Sequence, residues 1–166
     1  MTSGFGHALR WIVALLDRLG VPCQAVGGLA ARAYGADRPL ADLDFYIPTD
    51  RLPDVAAAAA SRVVRPPSHH RDESWDVTFM KLKYHGCDIE LGGADEARYF
   101  DRREGGWRSA CIDFATSVDV VIMGVTTPTM PYEQLVDYKR ALDRPVDRED
   151  LAAMAAATSH RAGGPA

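Results

Sequence analysis

The sequence predicts an α/β domain, α+β in layout, with a mixed sheet and C-terminal helices. Three observations predict it: short strands alternate with helices early in the chain, a hairpin follows, and helices close the chain. At 166 residues the chain is long enough to bury a core without disulfides or a structural metal. Residues 1–157 read as one domain, and residues 158–166, small and polar, as a flexible tail.

Each element rests on its own pattern. Leu9, Ile12, Val13, Leu16 and Leu19 recur at helical spacing, Trp11 and Leu15 widen the stripe, and Gly20 stands where helix ends favour glycine. Pro22 turns the chain into a short strand at residues 24–26, and Gly27-Gly28 lead into a short helical stretch, residues 29–34, stopped by Gly35. Beyond Pro39, Leu43, Phe45 and Ile47 alternate with Asp42, Asp44 and Tyr46, the period of a strand. Thr49 or Asp50 can cap the next helix, Pro53 is tolerated in its first turn, and the alanine run at 56–60 supplies helix propensity. Residues 65–74, polar and proline-containing, read as a loop. Strands at 76–84 and 87–91 flank a His85-Gly86 turn. Residues 94–109, charged and glycine-containing, carry no pattern that assigns them. A strand at 119–123 follows, then helices from Pro131 or Glu133 to about 142 and from Asp147 or Arg148 to about 157.

Composition narrows the class. The chain is 47% hydrophobic and 25% charged, ordinary for a globular protein. Its net charge of −4 lacks the basic excess of a protein that grips long nucleic acid, so a small-molecule partner is expected over RNA. Cys23, Cys87 and Cys111 are scattered and form no metal-binding spacing, so they read as ordinary thiols. Arg10, Asp17 and Arg18 interrupt the apolar N-terminal stretch, which predicts neither a signal peptide nor a membrane span, and a cytoplasmic location is expected.

Three features carry chemistry. Val26-Gly27-Gly28 lies between a strand and a helix start, where two glycines let backbone approach a ligand and free N–H groups can face a phosphate. Asp42-Leu43-Asp44-Phe45 places two carboxylates on one strand face, roughly 6.5–7 Å apart along it. Such acids repel one another unless a cation lies between them, and Mg²⁺ takes oxygen ligands of this kind. Asp88-Ile89-Glu90 alternates again on the second arm of the hairpin and can add a third carboxylate, to complete a metal site or to accept a proton. Alternation alone does not choose between Asp88 and Glu90.

Together, a Gly-Gly turn, thirteen residues, an Asp-x-Asp strand and a later acid-bearing strand resemble the nucleotidyltransferase (polymerase-beta-like) superfamily pattern, hG[GS] then DhDh then a third acid. Within it the chain is most similar to small antibiotic nucleotidyltransferases of the lincosamide and aminoglycoside type. Arg38 stands four residues before Asp42, Tyr84-His85-Gly86-Cys87-Asp88-Ile89 resembles their strand bearing the third aspartate, and residues 134–151, with Lys139, Arg144 and Asp147, look like the group's helical end.

The resemblance implies transfer of a nucleoside monophosphate from an NTP to an acceptor hydroxyl with two Mg²⁺ ions. By it Asp42 and Asp44 bind both ions, Asp88 binds one and can act as base, and Gly27, Gly28, Arg38 and Lys139 hold the nucleotide. Glu90 falls on the acceptor side, and a homodimer is suggested. Leu40 stands where those enzymes often carry an acid or histidine, and Glu90 where they often carry histidine, so drug specificity does not transfer. Rival readings are a toxin-type nucleotidyltransferase acting on tRNA, a non-catalytic antitoxin-like module that binds a protein, and a metal phosphohydrolase using His69 and His70. The ordinary reading of His69-His70 is a solvated loop, and of Trp75 and Trp107 core or rim aromatics.

Overall fold

The structure, a computed structural model, describes residues 4–163. Its elements are α1 (Gly4–Arg18), β1 (Gln24–Ala25), α2 (Gly27–Ala33), β2 (Asp42–Ile47), α3 (Leu52–Ala58), β3 (Val63–Arg71), β4 (Trp75–Tyr84), β5 (Cys87–Gly93), β6 (Arg98–Asp101), β7 (Gly106–Ser109), β8 (Val118–Ile122), β9 (Val125–Thr129), α4 (Tyr132–Leu142) and α5 (Pro145–Ala162). Among the described residues nine strands form one mixed sheet in the order β7-β6-β4-β5-β2-β1-β9-β8, with β3 paired to β4. The pairs β2–β5 and β1–β9 are parallel and the rest antiparallel. The expected mixed sheet with helices on its faces is therefore what forms.

Period-two alternation in β2 divides the molecule. Leu43, Phe45 and Ile47 face a core built with Leu9, Ile12 and Leu16 of α1, Leu52 and Val55 of α3, and Met80, Leu82, Ile89 and Leu91 of the neighbouring strands. Asp42, Asp44 and Tyr46 face the other way, where Tyr46 joins a second core with Ala30 and Ala31 of α2, Leu135, Tyr138 and Leu142 of α4, and Met154 of α5. The acids are thus left at the open part of a face whose flanks are helical.

Several segments depart from the sequence reading or are unassigned by it. Residues 65–71 belong to strand β3, because Arg65, Ser68, His69, His70 and Arg71 pair with β4. Pro66 and Pro67, which cannot donate to a ladder, lie where the register shifts, and they are tolerated because β3 has only β4 as a neighbour among the described residues. Residues 98–109 form the β6–β7 hairpin, too short for its alternation to stand out. β9 was hidden by Pro128 and by threonines; Thr127 and Thr129 are buried with their hydroxyls donating to carbonyls of Val125 and Thr127. Neither Thr49 nor Asp50 caps α3, which is entered through a short 3₁₀ turn, Thr49–Arg51, while Pro53 sits in its first turn as expected. Helix α5 runs through 158–162 of the expected tail, and residues 164–166 lie outside the described residues.

A buried ion network ties α4 and α5 to the loop before β2. The Lys139 side chain is 1% exposed, and its ammonium donates to Asp150 Oδ2 at 2.8 Å and Asp147 Oδ1 at 3.3 Å. Arg38 reaches both oxygens of Asp150, at 2.6 and 3.0 Å. Arg144 reaches both oxygens of Asp147, also at 2.6 and 3.0 Å. Burial alone raises the Asp150 carboxyl, but hydrogen bonds from Arg38 and Lys139 outweigh it and hold the group below the usual carboxylate range.

Lys139→Met keeps the volume but strips Asp147 and Asp150 of a shared partner. The expected loss in denaturant unfolding at neutral pH is below the about 3–5 kcal/mol of a fully broken buried pair, because Arg144 and Arg38 still partner the two aspartates. Because the Asp150 pKa is depressed, this difference should persist above the ordinary carboxylate pKa and shrink as pH falls through the folded value. Equal stabilities of the two proteins at pH 7 would refute this account.

Candidate active site

The parallel register of β2 and β5 sets Asp42 beside Asp88 and Asp44 beside Glu90. Strand β4 continues both rows, Lys83 next to Asp88 and Lys81 next to Glu90. Side chains two apart share a face, so two acids from β2, two from β5 and two lysines from β4 project together. Carboxylate oxygens of Asp42, Asp44 and Glu90 all lie within 4.8 Å of one another. Asp88 is outside this group; it lies 3.2 Å from Lys83 and 3.7 Å from Lys81. Asp42 and Asp44 therefore come together as expected, and the β5 acid that joins them is Glu90.

The electrostatics of the cluster are those of a site short of positive charge. Burial at the cavity floor, then repulsion from Asp42 and Glu90, pushes the Asp44 carboxyl well above the usual range. Burial and repulsion from Glu90 raise Asp42 as well, with the hydrogen bond to Asp44 and the charge of Lys81 acting the other way. Three hard oxygen donors on separate residues, held close despite mutual repulsion, fit a divalent cation.

The cluster lines a cavity of about 470 Å³ together with Gly27, Gly28, Arg38, Trp75, Tyr138 and Arg144. Gly27 has φ +59, and a β-carbon there would stand 2.8 Å from Asp44 Oδ2. A β-carbon on Gly28 would stand 2.7 Å from Arg38 Nη2. Backbone thus comes as close to the acids and to the arginine as only glycine permits. The first turn of α2 carries no side-chain cap.

Arg38 and Lys139 take different places. Arg38 lines the cavity while Asp150 fixes its guanidinium. Lys139 is buried behind it, committed to Asp147 and Asp150, and is not among the cavity-lining residues. The cation that does face the cavity from the helical end is Arg144. It lies over the Trp75 ring at 4.7 Å and is locked by Asp147, which also accepts from the Arg144 backbone N–H at the start of α5. Its charge is among those that oppose the rise in the Asp44 pKa. The Trp75 indole N–H donates to the Tyr138 hydroxyl at 3.1 Å. Trp75 therefore lines the site, whereas Trp107 carries Arg71 and Arg98 over its ring at the sheet's margin.

The histidines correct the loop expectation. His69 Nε2 pairs with Asp76 at 2.6 Å, and His70, which lines the cavity, pairs with Asp72 at 2.9 Å. Neither belongs to the carboxylate group, which among the described residues holds no histidine. Arg144 and Trp75 are site residues that no local sequence pattern singles out, although Arg144-Pro145-Val146-Asp147 has the look of a helix start. Their meeting over the cavity needs the chain to fold back across 69 residues, and no spacing announces it.

No protein-family model matches the sequence, and no curated protein sequence matches it. Solved structures do match. A protein from Thermotoga maritima described as a nucleotidyltransferase superposes with TM-score 0.62 and 18% identity, over 94% of this chain and 91% of the other. Lincosamide antibiotic adenylyltransferase LnuA, with lincomycin bound, gives 0.59 and 14% over 90% and 95%. The aminoglycoside enzyme ANT(2'')-Ia, bound to an adenylylated tobramycin, gives 0.57 and 17% over 96% and 99%. The chain has the nucleotidyltransferase fold.

Proposed function

We propose that this protein transfers a nucleoside monophosphate from an NTP to a hydroxyl of a small-molecule acceptor, with magnesium. The observation that carries the reading is the convergence of Asp42, Asp44 and Glu90 in one cavity with Gly27, Gly28, Arg38 and Arg144. Asp42, Asp44 and Glu90 would hold two divalent ions, which when bound stabilise the attacking and leaving oxygens of an in-line displacement. The Gly27-Gly28 backbone, Arg38 and Arg144 would bind and orient the triphosphate, with fixed guanidinium geometry suited to phosphate oxygens. The geometry favours Glu90 for the third-ligand place that the resemblance gave to Asp88. Asp88, which pairs with Lys83 and is not among the cavity-lining residues, would then accept the acceptor's proton from beside the cavity. A small acceptor is supported by the cavity's size, by the net charge of −4, and by two neighbours in fold that act on antibiotics.

Incubation with each labelled NTP, Mg²⁺ and separate pools of aminoglycosides, lincosamides and tRNA should put a nucleotide-sized mass increment on a member of a small-molecule pool. Labelling confined to tRNA would replace the acceptor class. Asp42→Asn and Asp44→Asn should each lower transfer by at least about 10³-fold while the protein stays folded. Without metal their melting temperatures should match or exceed the wild type, because like-charge repulsion is relieved, and the gain that Mg²⁺ gives the wild type should vanish. Full activity in either variant would sink the assignment.

Gly28→Val tests the cradle. A branched side chain placed against Arg38 should weaken ATP binding by about tenfold or more in the folded fraction. Normal ATP affinity in a merely less stable variant would reduce Gly28 to a turn residue.

The two β5 acids should separate in kinetics. Glu90→Gln is expected to remove turnover with any acceptor and to weaken Mn²⁺ binding. Asp88→Asn should keep metal affinity and lose about 10²-fold or less in kcat, the range of a proton-accepting group. A dead, metal-deficient Asp88→Asn beside an active Glu90→Gln would exchange the two roles.

A further inference from the structure

Lys81 occupies the same row of the sheet as Asp44 and Glu90, and its ammonium lies 2.9 Å from Glu90 Oε1 and 3.7 Å from Asp88 Oδ2. Lys81 and Glu90 side chains are 30% and 31% exposed, so the pair is partly shielded and not a screened surface contact. On its other side Lys81 pairs in register with Arg65 of β3, so no acid from that strand draws it away. Lys81 thus occupies one oxygen of the residue that completes the ion site.

We propose that Lys81 is a tethered counter-cation that holds Glu90 until a divalent ion arrives already chelated by the nucleotide. The inference rests on the functional reading above and adds an order of loading to it. A bare divalent ion entering the cluster meets two obstacles: Glu90 is engaged, and the fixed ammonium repels the incoming charge. An ion carried by a triphosphate brings several negative charges that offset both, and the same ammonium then faces a neutral or anionic complex. The site is therefore weak toward free ions and strong toward the ion–nucleotide complex. Lys83 provides an internal control, since it carries the same charge on the same strand but pairs with Asp88, outside the carboxylate group.

The test is a titration of free Mn²⁺ followed by its electron paramagnetic resonance signal, with and without α,β-methylene-ATP, which cannot donate its nucleotidyl group. Lys81→Met and Lys81→Gln should bind free Mn²⁺ about tenfold more tightly than the wild type, while affinity for the Mn²⁺–nucleotide complex moves less than about threefold. Lys81→Arg, which keeps the charge, should retain the wild-type preference, and Lys83→Met should change free-ion affinity by less than about twofold. Free-ion affinity unchanged or weakened in both neutral variants would overturn the proposal, as would an equal gain in Lys83→Met. Failure of every protein, wild type included, to bind Mn²⁺ under either condition would overturn the functional reading itself, and this inference with it.

Discussion

The parallel pairing of β2 with β5, in the register that sets Asp44 beside Glu90, is the constraint on which the rest of the molecule depends. A strand has two faces, and the same alternation that sends Leu43, Phe45 and Ile47 into the core sends Asp42 and Asp44 out of it. A slip of one residue would exchange the two sets, bury the acids against α1 and expose the core. The hydrophobic effect therefore fixes the site's geometry although no apolar residue takes part in its chemistry. Packing against α1 and α3 holds the register, and the register brings three repelling carboxylates within 4.8 Å.

Repulsion on that scale needs support from outside the cluster. Lys81 supplies it from the neighbouring strand and Arg144 from the start of α5. Arg144 is aimed by Trp75 on one side and Asp147 on the other, and Arg38 by Asp150. Behind both stands Lys139, whose single ammonium joins the two aspartates. A lysine expected at the phosphate thus acts one layer back, fixing the carboxylates that fix the arginines. The arrangement suits recognition of a planar or tetrahedral anion, where a pre-oriented guanidinium loses less freedom on binding than a free lysine does.

How far the sequence discloses this follows from the range of each pattern. The Asp-x-Asp strand, the glycine pair and the long helices are local, so they are legible: β2 has the expected bounds and α4 lies close to its own, while α1 begins before its apolar stripe and α5 runs past its expected end. The edge strand β3 was not legible, because Pro66 and Pro67 deny it the alternation of a central strand and only its pairing with β4 defines it. β6 and β7 have four residues each, too few for periodicity to register. Asp88 and Glu90 lie on one face, so alternation does not choose between them; the resemblance points to Asp88, whereas the closer approach of Glu90 to Asp42 and Asp44 depends on side-chain placement across strands, which no single strand encodes. Lys139 and Arg144 illustrate the same limit. Both are cations near a helix junction, and only the packing of α4 on α5 determines that one is buried and the other reaches the cavity.

Scaffold and site respond to protons in opposite senses, and the contrast separates what the fold requires from what the function requires. At Asp101 burial raises the carboxyl, but Arg108 and backbone N–H groups of Glu104 and Arg103 outweigh it; at Asp150, Arg38 and Lys139 do the same. Groups lowered in this way lend stability above the ordinary carboxylate pKa and lose it as pH falls through their folded values. Asp42 and Asp44 are raised, so in the metal-free protein their share declines as pH rises from the ordinary carboxylate value through their folded ones. A fold selected for stability alone would place lysines or apolar side chains at these two positions. Their retention, half-buried and opposed to Glu90, makes sense when a divalent cation supplies the missing charge, and cation binding then reverses the sign of the site's contribution while leaving the scaffold's unchanged.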